Sequence, residues 1–118
     1  MFYTVIQGKQ LGRKIGFPTL NLEPAKLSVD FEYGVYACEV VFQKLPKVHQ
    51  GVLHYGPRKT LAETAVSLEV HLLDFKADVY GEKITLKIKE KIREIQKFAN
   101  LEDLKQQIVL DIFAVKSV

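Results

Sequence analysis

One cysteine, Cys38, in 118 residues excludes an intramolecular disulfide and a cysteine-rich zinc site. No apolar run approaches the roughly 20 residues a membrane-spanning helix needs. The first ten residues, MFYTVIQGKQ, carry no charged leader, no long apolar stretch and no small-residue cleavage site, so no secretory signal is expected. Internal repeats, low-complexity tracts and linkers are also missing. Charge is nearly balanced: the net excess of +3 suits an anionic small molecule but is too slight to argue for nucleic acid. With 47% hydrophobic and 26% charged residues the composition is that of an ordinary globular protein. The expectation is one small domain over residues 1–118, cytoplasmic and long enough to bury a core without staples.

What is present is mostly strand signal. Phe2 to Gln7 is a short β-prone run, and Glu23 to Tyr33, with Pro24, Ser28 and Asp30, reads as a connection. After Gly34, Val35 to Phe42 alternates, with Tyr36, Cys38, Val40 and Phe42 on one face and Val35, Ala37, Glu39 and Val41 on the other. Pro46 breaks the run, Lys47 to Tyr55 completes a hairpin with it, and Gly56-Pro57-Arg58-Lys59 reads as a turn. Val66 to Phe75 is a further strand and Asp74 to Glu82 a loop. Lys83 to Ile92 sets Ile84, Leu86, Ile88 and Ile92 against Lys83, Thr85, Lys87, Lys89 and Lys91.

The period changes after Asn100. Leu101, Leu104, Ile108, Ile112 and Val115 recur at helical spacing, Asn100 can cap the start, and Glu102 and Asp103 suit the positive end of the helix dipole. Short strands followed by one amphipathic helix predict a mainly β fold. It is expected to be a small antiparallel, Greek-key-like barrel, with strands over about 2–92, closed by a C-terminal helix over about 101–115.

The most informative stretch is Gly12-Arg13-Lys14-Ile15-Gly16-Phe17-Pro18-Thr19-Leu20-Asn21, with Gly8 just upstream. Glycines let a backbone turn and approach a ligand, the two cations supply positive charge, and Thr19 and Asn21 offer a hydroxyl and an amide oxygen. The segment reads as a loop made for a polyphosphate and its metal, although Pro18 to Asn21 can equally be a turn leading into a strand. It matches neither the Walker nor the dinucleotide fingerprint.

The sequence GKQLGRKIGFPTLN resembles the signature of the riboflavin kinase (flavokinase) family, and the likeness continues through YGVYACEV, GVLHYGPRKT, LEVHLLDFKADVYGEKI, KIREIQKF and LEDLKQQIVLDI. The resemblance implies a kinase that converts ATP and riboflavin to ADP and FMN with Mg²⁺. It implies ATP contacts at Gly8, Arg13, Gly16, Thr19 and Asn21, with Thr19 and Asn21 also holding the metal. Glu69, in LEVHLLDF, would be the base facing the riboflavin hydroxyl, and Arg93 and Phe98, in KIREIQKF, would hold the flavin. Two departures occur, at His54 and Lys59. In most bacteria the kinase this sequence resembles is the C-terminal module of a bifunctional enzyme that also adenylylates FMN, and residues 1–118 correspond to the kinase module without that FMN adenylyltransferase domain.

Each residue has a plainer reading. Glu69 can be a solvated side chain on a polar strand face, Phe98 a helix anchor, and Arg93 a surface cation. His71, on the same strand face as Glu69, is a histidine bonded to a neighbour and carries no assigned role. The lysine stripe on Lys83, Lys87, Lys89 and Lys91 is a solvated face that keeps the sheet from pairing with another chain. An RNA-contacting ribbon would need interleaved aromatics, which are absent there. The expected partners are therefore small molecules, with a monomeric protein and neither membrane nor nucleic acid. The competing reading is a catalytically inactive flavin-binding or RNA-linked regulatory module.

Overall fold

A computed structural model describes residues 2–7, 16–27, 31–57, 65–75 and 79–118. Six strands form one antiparallel sheet: β1 (Phe2–Thr4), β2 (Leu20–Leu22), β3 (Gly34–Phe42), β4 (Val48–Pro57), β5 (Val66–Leu72) and β6 (Lys83–Arg93). Their order is β1-β6-β3-β4-β5-β2. Strands β3, β4 and β5 form a meander, and β6 returns to lie beside β3, which is a Greek key. The two edge strands meet through Ile6, whose N–H donates to the Asn21 carbonyl at 2.8 Å, so the sheet curls into a nearly closed barrel.

Strand alternation sorts the side chains into two cores. Tyr36, Cys38, Val40 and Phe42 point inward and pack with Tyr3, Leu20, Leu22, Leu53, Leu68, Val70, Leu72 and Ile84. Val35 and Ala37, on the opposite face, join Val52, Leu73 and Val115 in a second, smaller core. That second core exists because α1 (Leu101–Lys116) lies on the outer face of β3 and β4. The Asn100 side chain caps α1 by accepting the Asp103 N–H at 2.8 Å, with Glu102 and Asp103 in its first turn and Lys116 in its last. Burying a side chain the size of Val115 contributes about 1.5–3 kcal/mol, so the helix is held by few but effective contacts.

Several boundaries differ from the periodicity-based expectation. Leu20 and Asn21 are already inside a strand, β2, which is too short for alternation to reveal it, so only Pro18 and Thr19 of the expected turn precede the strand. Gly56 and Pro57 belong to β4, paired with Ser67 and Val66, rather than to a turn; Gly56 continues the strand at φ 135°, a conformation open to glycine. Pro24–Lys26 is a 3₁₀ turn inside the expected connection, and β5 stops at Leu72 rather than Phe75. Of the helical stripe, Ile112 and Val115 join the helix-side core, whereas Leu101 is 43% exposed.

The largest correction concerns β6. Its pairing with β3 shifts register between Ala37 and Cys38 and again between Val35 and Tyr36. Each bulge inserts a residue and inverts the face presented by the residues beyond it. Ile84 is therefore in the barrel interior with Leu86 and Ile88 against it, while Ile92 packs outside, against the helix-side core. Lys91 likewise leaves the lysine stripe and pairs with Glu32 at 3.0 Å and Glu94 at 2.6 Å, which together raise its pKa. Lys89 lies 3.9 Å from Glu39.

Candidate active site

Antiparallel register places one row of residues across the outer face of the sheet. Asn21 on β2 opposes Glu69 on β5, Glu69 opposes His54 on β4, His54 opposes Val35 on β3, and Val35 opposes Arg93 on β6. Directly opposed residues project to the same side, so the polar groups of this row converge on the face that α1 partly covers.

Glu69 is the centre of this row. Its neighbours Leu68 and Val70 fill the barrel interior at 1% and 0% exposure, which commits Glu69 to the outer face. It is nevertheless buried, at 9% exposure, and not a solvated strand glutamate. Its Oε1 accepts a hydrogen bond from the Thr19 hydroxyl at 3.3 Å. Asn21 serves two purposes: its carbonyl closes the barrel, while its side chain stands beside Glu69 on the outer face. Thr19 and Asn21 therefore present neutral oxygens within one step of a carboxylate.

Such oxygens are the donors Mg²⁺ prefers, and Mg²⁺ commonly takes one or two protein oxygens plus phosphates and water. Among the described residues no group of three or more His, Cys, Asp or Glu side chains is placed to cage a metal. The oxygens of Thr19 and Asn21 are donors of the type that can share a metal with a phosphate chain.

The segment leading to Thr19 begins at Gly16, which has φ 91° and open space around its α-carbon. Phe17 meets the His71 ring edge-on, with centroids 5.5 Å apart, and His71 Nδ1 lies 2.8 Å from the Pro18 carbonyl. Gly8 and Arg13, expected at the phosphates, and Lys59 lie outside the described residues.

Arg93 and Phe98 are together at the other end of the row, with the guanidinium carbon 5.8 Å from the ring centroid. Arg93 is not a free surface cation. Its Nε and Nη2 make a two-pronged pair with Asp111 of α1, both bonds 2.8 Å, and Gln107 donates to the same carboxylate at 3.0 Å. Asp111 is 2% exposed. Sequence reasoning missed it, although an acid between Ile108 and Ile112 on the apolar side of a helix was the available signal.

The fold and this row define a small Greek-key barrel with a carboxylate and metal-type oxygens on its outer face, beside a docked helix. Residues 2–118 match the flavokinase family, riboflavin kinase, and the chain belongs to that family. It is 46% identical over 110 residues to the bifunctional riboflavin kinase/FMN adenylyltransferase of Escherichia coli K12, covering 91% of this chain and 34% of that protein. It is 44% identical over 113 residues to the RNA-binding riboflavin kinase RibR of Bacillus subtilis, covering 95% of this chain and 47% of that one. The chain thus spans under half the length of either relative.

Among solved structures, one described as a macrolide-efflux protein from Streptococcus pneumoniae superposes with a TM-score of 0.81 at 27% identity, over 99% of this chain and 38% of that one. Riboflavin kinase from Trypanosoma brucei shares the fold, with a TM-score of 0.61 at 21% identity, over 98% of this chain and 77% of that one. No helix among the described residues is long and apolar enough to cross a membrane.

Proposed function

We propose that this chain is an ATP-dependent riboflavin kinase that transfers the γ-phosphoryl group of ATP to the 5′-hydroxyl of riboflavin, giving FMN and ADP. The observation that carries the reading is the juxtaposition of Thr19, Asn21 and the buried Glu69 on one sheet face, in a chain of the riboflavin kinase family.

In the proposed mechanism Glu69 accepts the proton of the 5′-hydroxyl while that oxygen bonds to the γ-phosphorus, and the bond from phosphorus to the β,γ-bridging oxygen breaks in line. The electron pair of that bond leaves with ADP, and the proton passes from Glu69 to solvent once product departs. The side chains of Thr19 and Asn21 would hold Mg²⁺ and so orient the phosphate chain. Bound there, the metal would neutralise charge on the β- and γ-phosphoryl oxygens. Gly8, Arg13 and Gly16 belong to the loop assigned to ATP. Positioning and electrostatics supply most of the acceleration, as in phosphoryl transfer generally.

Arg93 and Phe98 form the flavin side of the site in this reading. Because Nε and Nη2 of Arg93 engage Asp111, its part is to fix α1 beside the site, and the Phe98 ring beneath the guanidinium is the aromatic surface assigned to the flavin. The reading includes a cytoplasmic monomer acting on small molecules.

Incubating the purified chain with riboflavin, ATP and Mg²⁺ and resolving the flavins by chromatography tests the proposal. FMN and ADP should form in equal amounts. Flavin binding without any FMN would instead favour the inactive flavin-binding module.

A further inference from the structure

We propose that His71 is a positioning residue that anchors the Pro18 carbonyl and so holds the Thr19 hydroxyl against Glu69. The β2–β5 ladder ends at Leu20 opposite Val70. Continuing that register, Thr19 faces His71, yet Phe17, Pro18 and Thr19 lie outside β2. Pro18 has no N–H with which to extend the ladder. At the point where backbone pairing stops, the His71 side chain takes over, with Nδ1 2.8 Å from the Pro18 oxygen.

A carbonyl oxygen only accepts, so this contact assigns the proton to Nδ1. The edge-on contact with Phe17 holds the imidazole from a second side. His71 and Glu69 are two residues apart on the same strand face and grip adjacent points of the incoming chain: His71 the carbonyl of Pro18, Glu69 the hydroxyl of Thr19. Just upstream, Gly16 at φ 91° occupies a conformation that side-chain-bearing residues rarely adopt, so the segment enters through a turn. The anchor thus lies between that turn and the first ladder pair, next to the Thr19 hydroxyl whose hydrogen bond Glu69 accepts.

The inference rests on the kinase reading for its consequence, since the cost of losing the anchor falls on the metal and phosphate site. A misplacement of about 1 Å in a positioning group can cost up to about 10²-fold, so an effect confined to the nucleotide is expected.

Two full-chain variants separate anchoring from packing. His71→Phe keeps an aromatic ring against Phe17 and removes the donor; His71→Asn keeps a donor at the same number of bonds from the backbone. His71→Phe should raise the KM for MgATP and the Kd for MgADP about 10-fold, with the riboflavin KM within about 2-fold of wild type. His71→Asn should recover most of the loss. Unchanged MgATP and MgADP parameters in His71→Phe would overturn the proposal, as would equal impairment in both variants, which would mark a packing role alone.

Long-range ¹H–¹⁵N correlation of the imidazoles in the wild-type chain supplies a measurement independent of turnover and of variant folding. A proton on Nδ1 of His71 is expected, and an unprotonated Nδ1 would remove the anchor. If the wild type made no FMN, the kinase reading would fail separately, while MgADP titrations and the tautomer would still decide the anchor.

Discussion

The Thr19 hydroxyl donates to the Glu69 carboxylate at 3.3 Å across 50 residues of chain. The contact is diagonal: Glu69 directly opposes Asn21, two residues beyond Thr19 on the same face. One buried carboxylate is thereby flanked by both side chains proposed to hold the metal.

On this arrangement, Glu69→Gln should slow the chemical step by roughly 10²-fold or more, because the amide keeps size and hydrogen bonding but is no base. Binding of MgATP and riboflavin should change little, since the loss falls on the transition state. Single-turnover kinetics beside binding titrations measure the two separately. An unchanged chemical rate would exclude Glu69 as the base.

Thr19→Ala and Asn21→Ala should each cut activity by about 10²-fold and shift the Mg²⁺ requirement upward, by removing an oxygen from the proposed metal and phosphate site. Both residues are half-buried and outside the two cores, so the fold should survive. A magnesium titration of initial rate is the check. Near-normal rates at low magnesium would detach this loop from MgATP.

Asp111→Ala should destabilise the protein by about 3 kcal/mol, because it strands a mostly buried guanidinium without its partner. The pair Arg93→Met with Asp111→Leu should cost less than Asp111→Ala alone, since no charge is then left unpaired. Urea unfolding of the variants gives both values. A loss under about 1 kcal/mol for Asp111→Ala would mean that the ion pair does not dock α1.

Cys38 should be inert toward alkylation in the native protein. It is 1% exposed, and burial, with a smaller effect of Glu39, pushes its thiol up to about 12. At pH 8 only about 10⁻⁴ of the thiol would be thiolate, the reactive form. Iodoacetamide labelling followed by intact mass should be slow in buffer and fast in denaturant. Rapid native labelling would show that β3 opens readily.

Alternation alone separates Tyr36, Cys38, Val40 and Phe42 from Val35 and Ala37 as two strand faces, which the fold turns into two cores, and the Asn100 cap marks the start of α1, because period and capping are properties of neighbouring residues. The motif residues Thr19, Asn21 and Glu69 were likewise visible in the sequence as chemical types. Their meeting was not: it depends on the β2–β5 register, set by packing between segments far apart in the chain. The β6 bulges are equally long-range, for they make sense only against β3, and they send Ile92 to the helix and Lys91 to Glu32 and Glu94. Tertiary structure also decided what Arg93 and His71 touch, Asp111 on a helix and a proline carbonyl 53 residues away, because a charged or hydrogen-bonding side chain takes whichever partner the folded backbone brings within reach.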